Sequence, residues 1–220
     1  MLVVVVDCAT PAVTAAVAAV RRDDVEILAR RVSVDARAHG ELLAPAIRGA
    51  LDDAGVKPGE LAAVVAGLGP GPFTGLRVGL VTAAALGHSL GVPTYGVCSL
   101  DALGWGQPAT VLAATDARRK ELYWALYTDG QRITGPAVDR PDEVATRAAE
   151  AGARRAVGEG AEKYELGLEI TEPRYPSPEA LVALAADRVR NNAPGEQLTP
   201  LYLRRPDATL PGQRRKSVLQ

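Results

Sequence analysis

The apolar and polar positions of the chain fall into two similar series. Residues 2–6, LVVVV, form a continuous aliphatic run closed by Asp7, the pattern of a strand covered on both faces. PAVTAAVAAV and VEILARRVSV read as two more strands, and the RRDD between them as a hairpin turn. In HGELLAPAIRGALDDAG, Leu43, Ile47 and Leu51 recur every four residues, which makes a helical stripe. Gly55, with Pro58 beyond, stops that helix, and Pro45 falls early enough to be tolerated. LAAVVAGL is then a short buried strand, LRVGLVTAAALGHSL a helix, VPTYGVC a strand, and SLDALGWG a short helix or turn. Residues 1–106 thus read β-β-β-α-β-α-β-α, which predicts a mixed sheet with helices on its faces.

QPATV, Gln107 to Val111, marks the expected boundary. Beyond it TVLAATDARR is a strand ending in an acid, like LVVVVDCA, and KELYWALYTDGQRI is a hairpin with an Asp-Gly turn. PDEVATRAAEAG has the proline and acids expected of a helix start. ARRAVGEGAEKY reads as strand, turn and helix start, and SPEALVALAADRVRN as an amphipathic helix. Both halves open with an acid-ended strand and a hairpin, which points to a duplicated α/β fold. The expected domains are 1–106 and a smaller, degenerate 107–220. The second ends in a basic tail, Arg204, Arg205, Arg214, Arg215 and Lys216, that is expected to fray.

Composition changes this picture little. The 220 residues are 47% apolar, enough for a core, and the net charge of −1 gives no global sign of nucleic acid or membrane binding. Tyr202 is the only aromatic near the basic tail, which argues against direct RNA sequence readout and leaves a supporting electrostatic role. Cys8 and Cys98 read as small buried hydrophobes in a reducing compartment. No apolar run approaches the roughly 20 residues of a membrane span, and no leader is visible, so a cytoplasmic location is expected.

The chemistry centres on GPGPFTGLRVG, Gly69 to Gly79. It lacks the lysine and following hydroxyl of a phosphate loop, and Pro70 and Pro72 each remove an N–H donor. In the helix that follows, Gly75, Gly79, Ala83 and Gly87 recur every four residues and form a strip of tiny side chains. Interior glycine costs about 1 kcal/mol relative to alanine, so a close contact should offset it. That contact is either the chain's own sheet and first helix or a second chain. Thr74 reads as the helix N-cap. Arg77, in the first turn where the dipole disfavours cations, is expected to meet a carboxylate or anion. Phe73 reads as a core plug in preference to an exposed anchor.

GPGPFTGLRVG together with VVDCAT, HGELLAPAI, VCSLDALG, TDARRKELYWALY, GEGA and LYLRRPDA resembles the TsaB (YeaZ) family of tRNA threonylcarbamoyladenosine biosynthesis. The likeness spans nearly the whole chain. It implies two related ribonuclease H-like halves of the actin, Hsp70 and sugar kinase superfamily. It also implies a non-catalytic subunit that dimerises with itself or with a TsaD-like transferase and works with a TsaE-like ATPase on ANN-decoding tRNAs. The family favours a second chain on the small-residue strip. The implied partner interface is Leu43, Ile47, Gly75, Arg77, Gly79, Ala83 and Gly87, and Ala83→Arg is expected to split dimers while leaving the monomer folded. Pro72 departs from the family's usual serine.

The residues fit a subunit without catalytic groups of its own. Where catalytic relatives carry two metal-binding histidines four apart, this chain has Ser99 and Leu103, and no metal site is expected. His39 and His88 show no ligand spacing. No G-x-S-x-G elbow occurs. Kinase-type members hold nucleotide on two glycine-rich turns with an acid steering magnesium. Here those turns are DCAT and DARR: the acids Asp7 and Asp116 stand, and the glycines are missing. Asp7, Asp116, Gly158 and Gly160 are the positions nearest any nucleotide, with Arg118 and Arg119 as possible phosphate contacts or salt-bridge partners. No cofactor is expected. The alternative is an ATP-binding or ATP-hydrolysing enzyme of the same fold.

Overall fold

The structure is a computed structural model in which residues 1–204 are described. The long β-branched runs become two five-stranded sheets of matching topology. The first contains β1 (Leu2–Asp7), β2 (Ala12–Val20), β3 (Val25–Val34), β4 (Leu61–Gly67) and β5 (Thr94–Val97), in the order β3-β2-β1-β4-β5. β1, β2 and β3 are antiparallel, whereas β1, β4 and β5 run parallel. The second contains β6 (Thr110–Asp116), β7 (Leu122–Thr128), β8 (Gln131–Asp139), β9 (Arg155–Val157) and β10 (Glu169–Ile170), in the order β10-β9-β6-β7-β8. Read from the other edge this is the order of the first sheet, so the duplication inferred from two acid-ended strands is present in the topology. The short β10 had no recognisable pattern in the sequence.

Among the described residues each half also supplies three α-helices: α1 (His39–Ala54), α2 (Phe73–Leu90) and α3 (Ser99–Gly104), then α4 (Pro141–Glu150), α5 (Glu159–Lys163) and α6 (Pro178–Arg190). The strand period of two explains why LVVVV is apolar throughout. Val4 and Val6 face Leu43, Ile47, Leu76 and Leu80 of α1 and α2. Val3 and Val5 face Leu181, Val182 and Ala185 of α6.

That second packing departs from the expected division of the chain. Residue 107 separates the two sheets, but not the helices. α6, from the second half, covers the first sheet, while Leu100 and Leu103 of α3 pack with Val111, Ala113 and Tyr127 of the second. After α6 the chain continues along the first sheet: Glu196 N donates to Thr94 O, and Leu201 N to Leu68 O. Leu201 and Leu203 then reach the core of the second half. An amphipathic stripe shows that a helix has a sheet to cover, but not which of two sheets. Of the basic tail, Arg204 is described; Arg205, Arg214, Arg215 and Lys216 lie outside the described residues.

Candidate interdomain cleft and partner face

The small-residue strip of α2 is turned into the protein. A Cβ on Gly75 would lie 2.7 Å from Cys8 O and 3.1 Å from the His39 ring, and one on Gly79 3.2 Å from Cys8 Cβ. Gly87 closes on Thr94, and Ala83 is fully buried. Leu43 and Ile47 are core residues beneath the same helices. Six of the seven residues expected at a partner surface therefore pack on the chain's own β1–β2 turn, α1 and β5. Of the two contacts the strip allowed, the internal one is realised. Ala83→Arg would bury a charge in the monomer core rather than test a dimer.

Arg77 is the exception. It is exposed, and its guanidinium lies 4.0 Å above the Phe73 ring, so among the described residues it meets an aromatic face and no carboxylate. Phe73 is 53% exposed and stands 5.4 Å from the ring of Tyr202, so it lies on the surface and does not plug the core. Val81, 67% exposed, continues this outer face one turn beyond Arg77. Thr74 does not cap the helix: α2 begins at Phe73 after an extended Pro72, with no side-chain cap.

The loop before α2 is fixed by a buried network. Ser99 Oγ donates to Asp7 Oδ2 at 2.6 Å and accepts from Gly69 N at 3.2 Å, while Ala9 N donates to Asp7 Oδ1 at 2.9 Å. A Cβ on Gly67 would fall 1.7 Å from the same Asp7 oxygen, so glycine there makes room for the carboxylate. Asp7 is 2% exposed, and burial pushes its pKa up, against the lowering effect of the Ser99 hydrogen bond. This aspartate is locked into the fold behind Cys8, the residue of this turn that reaches the cleft between the halves.

Between the halves lies a cleft of about 1340 Å³. Thr10, Arg37, Gly71, Pro72 and the first turn of α2 form one wall; Asp116, Arg118, Arg119 and Glu159 form the other; Tyr202 to Arg204 closes a side. Asp116 Oδ2 pairs with Lys163 Nζ at 2.8 Å, its Oδ1 accepts from Arg118 N at 3.1 Å, and its N–H donates to Glu159 Oε1 at 3.0 Å. Of the GEGA segment it is Glu159, not the glycines, that faces the cleft. Gly158 and Gly160 lie against the backbone of β6, where a Cβ would come within 2.2 Å of Ala114 O and 2.4 Å of Thr115 C. Burial raises the Glu159 pKa, opposed first by its hydrogen bond from Asp116 N. Arg118, Arg119 and Lys120 take successive positive φ values of 61°, 54° and 60°, a strained turn for residues with side chains.

A magnesium nucleotide held through these two carboxylates does not suit this arrangement. Asp7 spends its oxygens on Ser99 and Ala9, and Asp116 spends its own on Lys163 and Arg118 N. Among the described residues no group of three His, Cys, Asp or Glu is placed to hold a metal ion. Nor, among them, is any helix long and apolar enough to cross a membrane.

The whole arrangement matches a known fold. YeaZ from Pseudomonas aeruginosa superimposes with a TM-score of 0.74 at 27% identity, over 92% of this chain and 99% of its own. The chain belongs to the TsaB (YeaZ) family. A family model described as TsaD, tRNA N6-adenosine threonylcarbamoyltransferase, matches residues 26–175. The uncharacterized protein Rv3421c of Mycobacterium tuberculosis is 52% identical over 94% of this chain and 93% of its own length. TsaB of Bacillus subtilis is 32% identical over 52% of this chain and 50% of its own.

Arg37, Glu159 and Tyr202 were not singled out for this cleft by sequence, because nothing local marks residues brought together from three distant segments. The GEGA motif was read for Gly158 and Gly160, and not for the Glu159 between them.

Proposed function

We propose that the chain serves tRNA threonylcarbamoyladenosine biosynthesis as a scaffold subunit without catalytic groups of its own. It binds a TsaD-like transferase, or a second copy of itself, and acts with a TsaE-like ATPase on tRNA. Membership of the TsaB (YeaZ) family supports the pathway. The observation that carries the scaffold reading is the engagement of the two strand-end acids: Asp7 and Asp116 are bonded to their own chain, and Ser99, where a catalytic relative would bind metal, is the donor that holds Asp7.

The partner face moves from the strip to the opposite side of α2. Phe73, Arg77 and Val81 form a continuous exposed row on the helix surface. Aromatic residues and arginine are the types enriched at binding hot spots.

Two measurements test this. Val81→Arg is expected to abolish co-purification with a TsaD-like subunit while leaving the circular dichroism spectrum unchanged; equal retention of the partner would refute the face. In a reconstituted transfer reaction, an Asp116→Asn chain is expected to support the parent rate. A loss of roughly a hundredfold, the scale of removing a general acid or base, would make Asp116 catalytic and overturn the scaffold reading.

A further inference from the structure

Among the described residues the cleft presents two arginines, Arg37 and Arg118, that the scaffold role leaves unused. Its acids are engaged internally: Asp116 with Lys163, and Glu159 with the Asp116 amide. Arg204 is matched by Glu121. Arg37 and Arg118 stand on opposite walls, and among the described residues no carboxylate pairs with either. The backbone of Arg118 is held where it is, and its side chain is exposed. Its N–H donates to Asp116 Oδ1, its carbonyl accepts from Glu121 N at 3.0 Å and from Arg204 Nη2 at 3.2 Å, and its φ of 61° is kept by that frame. Between the walls lies about 1340 Å³, ample against the roughly 300–1,000 Å³ of typical ligand pockets.

We infer that the cleft binds a phosphate-bearing anion directly through Arg37 and Arg118, with no divalent cation between ligand and protein. Arginine supplies a planar fork of donors that matches phosphate oxygens. A kinase-type site instead needs free carboxylates to hold magnesium against the phosphates, and here both candidates are spent on the fold. The ligand class is a free phosphate ester, pyrophosphate or nucleotide taken up as the bare anion. The inference does not depend on the scaffold reading: it is measured on the isolated chain, whereas the partner face is measured by co-purification.

The test is calorimetric titration of the full chain with inorganic phosphate, pyrophosphate and ATP, each in EDTA and again with magnesium. Saturable binding is expected in EDTA for at least one anion, weakening as salt is raised. Which anion binds tells whether the phosphate or the whole nucleotide is recognised. Arg37→Ala and Arg118→Asn, the latter chosen because asparagine tolerates positive φ, should each weaken binding by about tenfold. Arg147→Ala, on the outer side of α4, should bind as the parent does. The inference is overturned if no anion binds in EDTA, if binding requires magnesium, if both cleft variants bind like the parent, or if Arg147→Ala loses as much as they do. Circular dichroism reports folding, and Arg37→Ala decides alone should Arg118→Asn fail to fold.

Discussion

Ser99→Ala is a demanding test of how the glycine loop is held. Ser99 Oγ is 2.6 Å from Asp7 Oδ2 and 3.2 Å from Gly69 N, and both Asp7 and Ser99 are almost fully buried. Removing the hydroxyl takes a charge-assisted hydrogen bond from a buried carboxylate, worth about 1.5–3 kcal/mol, and orphans the Gly69 amide, a further 1–3 kcal/mol. Relaxation and water entry offset part of this, so a destabilisation of about 3 kcal/mol is expected at neutral pH. The loss should depend on pH. Burial raises the folded-state pKa of Asp7 above its ordinary value of 3.8, so folding binds protons and the penalty of the buried charge grows as pH rises from that value through the folded pKa. Losing Ser99 removes a lowering influence and raises the folded pKa further. The difference between variant and parent should therefore grow as pH rises through the folded pKa of Asp7, and shrink as pH falls below it, where a protonated Asp7 no longer carries the charge. Urea unfolding followed by circular dichroism, parent and variant side by side at several pH values, measures this. A destabilisation under about 0.5 kcal/mol, or one independent of pH, would refute the network as described.

Other outcomes follow from the same geometry. Ala83→Arg should cost about 3 kcal/mol or more and lower the thermal midpoint of the monomer, because the site is fully buried; an undisturbed midpoint would place the strip outside the core. Gly71→Ala should destabilise by about 1–3 kcal/mol in chemical denaturation, since its Cβ would meet the backbone Ala9 O at 2.1 Å. A double-mutant cycle between Phe73→Ala and Tyr202→Ala should return a coupling of about 0.5–1.5 kcal/mol for rings 5.4 Å apart; additivity would mean the contact is passive.

Much of this molecule was legible as a sequence. Uninterrupted β-branched runs, acid-ended strands, an Asp-Gly hairpin and four-residue helical stripes were enough for the order of the main elements and for the duplication, because these patterns are set by periods within one element. GPGPFTGLRVG, with DARR and LYLRRPDA downstream, carried the family resemblance. The spacing of Gly75, Gly79, Ala83 and Gly87 also established that something approaches α2 closely.

What approaches it was decided only in three dimensions. A small side chain permits a close neighbour but does not name one, and the β1–β2 turn, α1 and β5 fill that space from within the chain. The same holds for Asp7, whose partner Ser99 is 92 residues away, and for α6, whose apolar face fits either sheet. The cleft is the extreme case, since Arg37, Arg118 and Glu159 come from separate segments. Sequence periodicity fixes which face of an element is apolar. Only the packing of both halves fixes what each face meets, and so which charges remain for a ligand.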